Sequence, residues 1–567
     1  MPDALPRRWR LPLLWLLVTV ALAAGLGLRQ PQPPDEPRFV LAARSMVDTG
    51  QWLLPHRGLE LYAEKPPVFM WLQAAAYDVV GSWTGSFLLP SLLAALLSLW
   101  LVSDLARRLW SPRHSPYAMA ALFCTLQFGL MAKRAQIGMV LVGMTTVALW
   151  GLLRHLCERR NLPALWLAGI AAGVGTVTKG VGFLPLLMAL PWMGWRLYQR
   201  RRGRVVDGPH PATLLWLLPA FLLGTAVWLA PLGWALLHQP SPALQSYAHE
   251  LLFKQTGTRY AHAWHHRQPA WYYLQVILTL WLPGSLLLPL LFKPWWRRLR
   301  RGDRRPWLLL GWAILVLAFF SASPGKREVY VLPMLPAMAL AVTPLLPGLL
   351  RRLCVRRYLL GYSVILMLAT GVLGVMLVTA HPWAVAQLQR RAMPDTLLPV
   401  LGEGLLVFAI ALAALIVWLR LRRAGTLVLL AHGMLWMLHG LVLIPALDSY
   451  ASASALMRQV GVRIGPKAEL ALVAWREQNL LQADRPVREF GFKRPWAEQW
   501  DEAGPWLAEA PEKRWLLVLD AAMSPCVDPA QVIDIGVANR NRWQLLPGTA
   551  WDPQCHAGRN GATTAED

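Results

Sequence analysis

Acidic side chains are scarce in this chain. It carries 31 Asp and Glu against 56 Lys and Arg in 567 residues, and no acid occurs between Asp104 and Glu158. Charge of either sign is low as well, at 15% of residues, where a soluble globular protein carries roughly a quarter. With 56% hydrophobic residues and a mean hydropathy of +0.37, that shortage excludes a soluble globular chain. The first apolar run, Leu11–Leu28, is followed by no small-x-small cleavage site ahead of a soluble domain, so a retained helix is expected rather than a removable signal peptide. No internal repeat of the kind common in transporters is visible. Cysteine is rare. Cys124 lies in an apolar run, and Cys157 and Cys354 sit among arginines, as reduced cytoplasmic thiols would. Cys526 and Cys555 lie in a polar C-terminal region, where they either pair, if that region is periplasmic, or stay unrelated.

What is abundant is apolar sequence, tryptophan and arginine. Runs of 18 or more apolar residues recur, enough to cross about 30 Å of hydrocarbon. The 31 Trp suit a chain with many membrane–water boundaries. The net charge of +25 falls in short clusters between apolar runs, which is the pattern of inward retention rather than of nucleic-acid binding. After Leu11–Leu28, spans are predicted at Phe87–Leu105, Tyr117–Met131, Ile137–Leu153, Leu162–Thr178, Val181–Leu197, Leu214–Leu237, Trp271–Phe292, Trp307–Phe320, Val329–Leu349, Tyr358–Thr379, Leu397–Leu419 and Thr426–Leu447. Every second connection is Arg-rich. That alternation predicts about 13 transmembrane helices, a cytoplasmic N-terminus and a periplasmic tail in a bacterial inner membrane.

Residues 1–448 are thus read as a polytopic α-helical membrane domain and 449–567 as a small α/β periplasmic domain. Strands are expected near Leu470–Trp475, Val487–Phe492 and Trp515–Leu519, a helix over Pro495–Ala508, and disorder over Gly558–Asp567. The first outer loop, 29–85, is unusual. It gathers Asp35, Glu36, Asp48, Glu60 and Glu64, with Lys65 beside the last. Apolar residues at helical spacing (Phe39, Val40, Ala43, Met46, Val47, and then Val68, Phe69, Leu72, Ala76 after Pro66-Pro67) predict two amphipathic helices on the outer leaflet. Glu64 and Lys65 would stand at the start of the second, where free N–H groups favour a phosphate.

Asp35-Glu36-x-Arg38-Phe39 and Tyr62-x-Glu64-Lys65-Pro66, within this topology, resemble the aminoarabinose transferase branch of the protein O-mannosyltransferase superfamily. Thr178-Lys179-Gly180, His266-Arg267-Gln268-Pro269-Ala270-Trp271-Tyr272-Tyr273-Leu274 and Ser323-Pro324-Gly325-Lys326-Arg327-Glu328-Val329-Tyr330-Val331-Leu332-Pro333 extend the likeness over about Pro34 to Leu340. The resemblance implies a GT-C membrane glycosyltransferase that takes a monosaccharide from a polyprenyl-phosphate (undecaprenyl-phosphate) donor. The acceptor lies at the periplasmic face and is lipid A, a protein or another glycan; membrane lipids surround the site. It implies catalytic acids at Asp35, Glu36 and Glu64. Donor-phosphate ligands would be Lys65, Lys179, Lys254, Arg259, Lys326, Arg327 and Tyr330. Tyr62, His265 and His266 would border the sugar or acceptor.

Each assignment has a plainer counterpart. Asp35 is also a good helix N-cap, Glu64–Lys65 an interfacial ion pair, Lys179 a snorkelling lysine, and Tyr330 a member of an aromatic belt. The sequence assigns no certain cofactor and leaves a divalent cation at Glu64 open; the His262-x-x-His265-His266 spacing is poor for structural zinc. One position departs from the family. Gly138, in Lys133-Arg134-Ala135-Gln136-Ile137-Gly138, stands where a second acid is expected. Either the acceptor is already ionised, or Glu36 or Glu64 replaces that acid, or the activity has been lost, leaving a non-catalytic protein that binds a lipid-linked sugar. A lipid or sugar flippase is the other rival. It would require polar residues within the spans and helices broken near the midplane.

Overall fold

The computed structural model describes residues 7–158, 160–252 and 268–555. Helices form where the apolar runs predict them. Eight are long and apolar enough to cross a membrane: Trp83–Leu109, Ile137–Glu158, Leu162–Lys179, Pro211–His238, Arg304–Ala322, Leu353–Val378, Leu397–Leu419 and Leu421–Ala451. Two more candidates are bent pairs, Pro112–Phe123 with Leu126–Ala132 at 74° and Tyr272–Leu280 with Gly284–Arg301 at 104°. The expected 13 are therefore 8 to 10 by length and composition among the described residues. Of the remaining expected spans, the first and tenth are shorter apolar helices, Leu11–Ala23 and Glu328–Val342. The sixth is a 3-10 turn, Leu184–Met188, leading into the helix Ala189–Arg201.

The breaks are the feature that the flippase reading asks for, but their freed polar groups meet each other. Leu126 N–H donates to the Leu282 carbonyl at 3.3 Å, and the Trp281 indole donates to Gln127 Oε1 at 2.7 Å. Gln127 Nε2 in turn donates to the Glu328 carbonyl at 2.6 Å. Irregular backbone at membrane depth persists only where such partners exist.

The Arg-rich connections gather at one end of the bundle. There Arg305 donates to the Leu109 carbonyl at 2.6 Å, Arg304 to Cys157 O at 2.6 Å and Arg204 to Arg301 O at 2.9 Å, so cations satisfy orphan carbonyls of helix C-termini.

At the opposite end lies the first loop. The helix Glu36–Thr49 ends at Gly50, and the helix Val68–Val80 starts after Pro67. Phe39 and Phe69 meet edge to face at 5.3 Å and lock the two together. Between them runs a hairpin of His56–Arg57 against Glu60–Leu61.

The C-terminal region forms a five-stranded mixed sheet in the order Val487–Glu489, Glu469–Val473, Arg514–Leu519, Asn541–Pro547, Ile533–Ala538. The first three strands run parallel, and the last two pair antiparallel. The hairpin Ile533–Ala538/Asn541–Pro547 was not expected from the sequence. Its register shifts between Asp534 and Gly536, which blurs the period of two. The helix Trp496–Glu509 covers the sheet, and Cys526 is disulfide-bonded to Cys555. The sheet domain lies on the first loop. Gly58, with φ +64°, turns the hairpin, and a Cβ there would stand 2.5 Å from Glu489 Oε1, so glycine is what lets the two approach.

Candidate active site

Asp35 and Glu36 are neighbours with different surroundings. The Glu36 carboxylate is 5% exposed. It accepts from Arg29 Nη1 (2.5 Å) and Nη2 (2.8 Å), from Gln32 N–H (2.9 Å) and from Ala135 N–H (2.9 Å). Arg29 also donates to Lys133 O at 3.1 Å. Both Glu36 oxygens are engaged in tying the first span's exit to the Lys133–Gln136 loop. That arrangement departs from the expected free catalytic acid.

Asp35 precedes the helix and makes no capping bond with its side chain. Its Oδ2 lies 3.4 Å from Gln136 Nε2 and 3.6 Å from Arg327 Nη2. Two segments distant in sequence thus converge on it. Two residues beyond Gln136 is Gly138, and a Cβ built there would lie 3.6 Å from Lys179 Nζ, with no other atom from outside its own helix within 4 Å among the described residues. Lys179 Nζ also lies 5.7 Å from the centre of the Tyr330 ring, which stacks on Phe320 at 5.2 Å. Asp35, Arg327, Gln136, Gly138, Lys179 and Tyr330 therefore form one neighbourhood.

Glu64 belongs to an adjoining charged cluster. Its oxygens lie 3.4 Å from Arg38 Nη1 and 3.6 Å from Arg57 Nη1. Glu477, from the sheet domain, faces the same two arginines, at 3.1 Å from Arg38 Nε and 3.3 Å from Arg57 Nη1. Arg57 is 2% exposed and stacks over the Phe492 ring at 3.8 Å. Burial opposes the Arg38 charge, yet Glu477, Tyr62, Glu64 and Asp35 outweigh it and push its pKa above the ordinary arginine value. Tyr62 is buried, and burial and then Glu64 push its phenol far up, with Arg38 and Arg57 offsetting only part. Lys65 Nζ donates to the Glu64 carbonyl at 3.1 Å. The second loop helix begins at Val68, so Glu64 and Lys65 precede its first turn rather than opening it.

Lys326 and Arg327 separate. Lys326, 5% exposed, donates to Ser323 O at 2.7 Å and Gln268 O at 3.1 Å, stapling its loop to the start of the bent helix. Only Arg327 reaches Asp35. Lys254, Arg259, His265 and His266 lie outside the described residues. Among the described residues no three His, Cys, Asp or Glu side chains come together as metal ligands. Two guanidinium groups stand against Glu64 where further ligands of a divalent cation would be needed. Glu64 as arranged is an ion-pair partner.

Sequence reasoning did not single out Arg38 for a role of its own, nor Arg29, Arg57, Gln136 or Glu477. An arginine between two apolar stretches, as at Arg57, was the one signal available. Glu477 carried none.

The family model for dolichyl-phosphate-mannose-protein mannosyltransferase matches residues 64–229. An undecaprenyl phosphate-alpha-4-amino-4-deoxy-L-arabinose arabinosyl transferase of Pseudomonas aeruginosa (strain LESB58) is 33% identical over 426 residues, 73% of this chain and 71% of the relative. The chain belongs to that transferase family. A relative of the same name from Pseudomonas savastanoi pv. phaseolicola is 34% identical over 334 residues, 57% of this chain and 58% of its own length. The match thus spans little more than half of that relative. In overall fold the chain is similar to the crystal structure of ArnT from Cupriavidus metallidurans bound to undecaprenyl phosphate, with TM-score 0.73 and 18% identity, covering 97% of this chain and 100% of that one. The apo state of the same protein gives TM-score 0.69. This is the GT-C membrane fold, in a multi-pass membrane protein.

Proposed function

We propose that this protein is a glycosyltransferase that moves 4-amino-4-deoxy-L-arabinose from undecaprenyl phosphate to lipid A at the periplasmic face of a bacterial inner membrane. The sugar and carrier are those in the relatives' names. The observation that carries the reading is the convergence of Asp35, Arg327 and Lys179 at the end of the bundle opposite the Arg-rich connections. By the rule of inward positive charge, that end faces the periplasm. The Cys526–Cys555 disulfide supports the same side for the sheet domain, because such bonds persist in oxidising compartments. Residues 1–448 are the transferase domain, and 449–567 the domain that covers its first loop.

The reaction is a displacement at the anomeric carbon. The bond from that carbon to the carrier phosphate breaks, and its electron pair leaves with the phosphate. A bond from the acceptor oxygen forms. Arg327, Lys179 and Lys65 balance the charge that grows on the departing phosphate. Asp35 orients the acceptor oxygen and takes its proton when it carries one. Glu36 holds the loop and Lys326 holds its own turn; neither takes part in proton transfer. The open space at Gly138 beside Lys179 favours an acceptor that is itself anionic, such as a lipid A phosphate, which needs no second base.

The test is incubation of the purified protein with undecaprenyl phosphate-linked aminoarabinose, with and without lipid A. Undecaprenyl phosphate and modified lipid A should appear together. Donor that stays intact in the presence of acceptor refutes the proposal, and donor that crosses the bilayer unchanged supports a flippase instead.

A further inference from the structure

We infer that Glu477, a residue of the C-terminal domain, is a positioning residue of the transfer site that keeps Glu64 and Lys65 in place by sharing the charge of Arg38 and Arg57. The inference rests on the transferase reading above.

Glu477 opens a five-residue helix and is 7% exposed. One of its oxygens, Oε1, serves both arginines, at 3.1 Å from Arg38 Nε and 3.3 Å from Arg57 Nη1. Glu64 reaches the same pair only at 3.4 and 3.6 Å. The four charges alternate and sum to zero. A buried guanidinium without a counter-charge is strongly unfavourable, and Arg57 is almost fully buried. If Glu477 loses its charge, Glu64 is the acid left in ion-pair contact with both arginines among the described residues, with Asp35 acting on Arg38 only from farther off, and Glu64 is drawn onto them. Lys65 is bonded to the Glu64 carbonyl and must move with it. Arg38 stands three residues after Asp35 on the same helix start, so the disturbance reaches the acid as well.

The rest of the sheet domain grips the same segment. Glu489 Oε1 accepts from Leu59 N–H at 2.5 Å, and Glu60 Oε1 accepts from Lys493 N–H at 2.8 Å, on the hairpin just ahead of Tyr62. Those bonds fix backbone. Phe492 lies against Arg57 as an apolar face, and Glu477 is the acid of that domain that, among the described residues, pairs with both arginines next to the site.

The experiment uses the full-length protein and three variants, Glu477→Gln, Glu477→Asp and the double variant Glu477→Gln/Arg57→Gln. Each is assayed for kcat, for donor and acceptor KM, for undecaprenyl phosphate affinity, and for amide exchange over residues 56–65. E477Q should lower kcat by about 10- to 100-fold, the scale of a slightly misplaced group, and weaken undecaprenyl phosphate binding. Exchange should rise over 56–65 and stay unchanged in the sheet core. E477D, which keeps the charge, and the double variant, which restores neutrality, should each recover a large part of the loss. E477Q with wild-type kinetics, affinity and exchange overturns the inference. So does a loss that neither E477D nor the double variant recovers, with exchange raised throughout the domain, because that is plain unfolding. Should the wild type itself transfer no sugar, the functional reading has failed; affinity and exchange at 56–65 still decide for or against Glu477.

Discussion

Arg327 Nη2 stands 3.6 Å from Asp35 Oδ2, across the gap between the loop after Arg304–Ala322 and the start of Glu36–Thr49. The carboxylate is partly exposed, at 19%, and its only other close partner among the described bonds is the Gln136 amide at 3.4 Å. It therefore keeps lone pairs for an incoming hydroxyl, which Glu36 next door does not. Asp35→Asn preserves shape and removes the base. Turnover should fall by about 10²–10⁴-fold with undecaprenyl phosphate affinity retained. Steady-state transfer beside a direct binding titration checks this, and normal turnover by the variant rejects the role.

Two adjacent cations should respond in opposite ways. Arg327→Gln removes a charge from the site and leaves every loop carbonyl bonded, so kcat should drop while thermal stability holds. Lys326→Gln shortens the staple to Ser323 O and Gln268 O and leaves buried acceptors short of donors, at about 1–3 kcal/mol. Its loss should appear first in the melting temperature. A thermal melt and a transfer assay on each variant separate the two.

The fold was legible from hydrophobic runs and Arg alternation because membrane insertion imposes both. The two breaks were not, since Cys124-Thr125 and Trp281-Leu282-Pro283 interrupt the helices without interrupting apolar character. The sequence pointed to Asp35, Lys179 and Arg327, where charge stands against an apolar background, and the fold gathers these three in one neighbourhood, their roles being proposals. It was misleading at Glu36 and Lys326, because sequence gives the charge and not the partners that already hold it. It was silent at Glu477, an acid in an ordinary polar domain, whose meaning exists only once that domain is laid on Arg57.

Gly138→Asp tests what the open space beside Lys179 is for. Beyond its own helix and among the described residues, a Cβ there meets Lys179 Nζ alone, at 3.6 Å, which is ordinary contact, so the variant should fold. The new carboxylate pairs with Lys179 and repels an anionic acceptor. Transfer to a phosphate acceptor should fall about tenfold or more, and transfer to a neutral hydroxyl acceptor should not. Side-by-side rates with the two acceptors decide; an equal effect on both refutes the acceptor argument.

Tyr62 gives a pH prediction. Burial, with Glu64 second, raises the phenol's pKa in the folded protein. A raised pKa means the neutral form is favoured by the fold, so its contribution is fully present below the unfolded value of about 10 and fades only above it. Tyr62 therefore does not ionise between neutral pH and about 10. The pH–rate profile of Tyr62→Phe should be lower in height and unshifted in its alkaline limb. An alkaline limb that disappears in the variant would assign that limb to Tyr62 and contradict the burial argument.

The disulfide should matter for transfer although it lies apart from the charged cluster. Cys526 and Cys555 close a loop with a sequence separation of 29, and such closure contributes about 2–4 kcal/mol. The bond sits where the chain leaves the sheet, beside the bridge between Val527 and Trp551, whose ring stacks on Trp500 of the covering helix at 5.5 Å. Loosening that corner weakens the domain that carries Glu477 and Glu489 onto the hairpin. Cys526→Ser/Cys555→Ser should therefore lower the unfolding temperature of the domain. It should also lower kcat at temperatures below that transition, in proportion to added amide exchange at 56–65. If the double variant melts earlier but turns over at the wild-type rate until it melts, the sheet domain is a stable cover with no hold on the site.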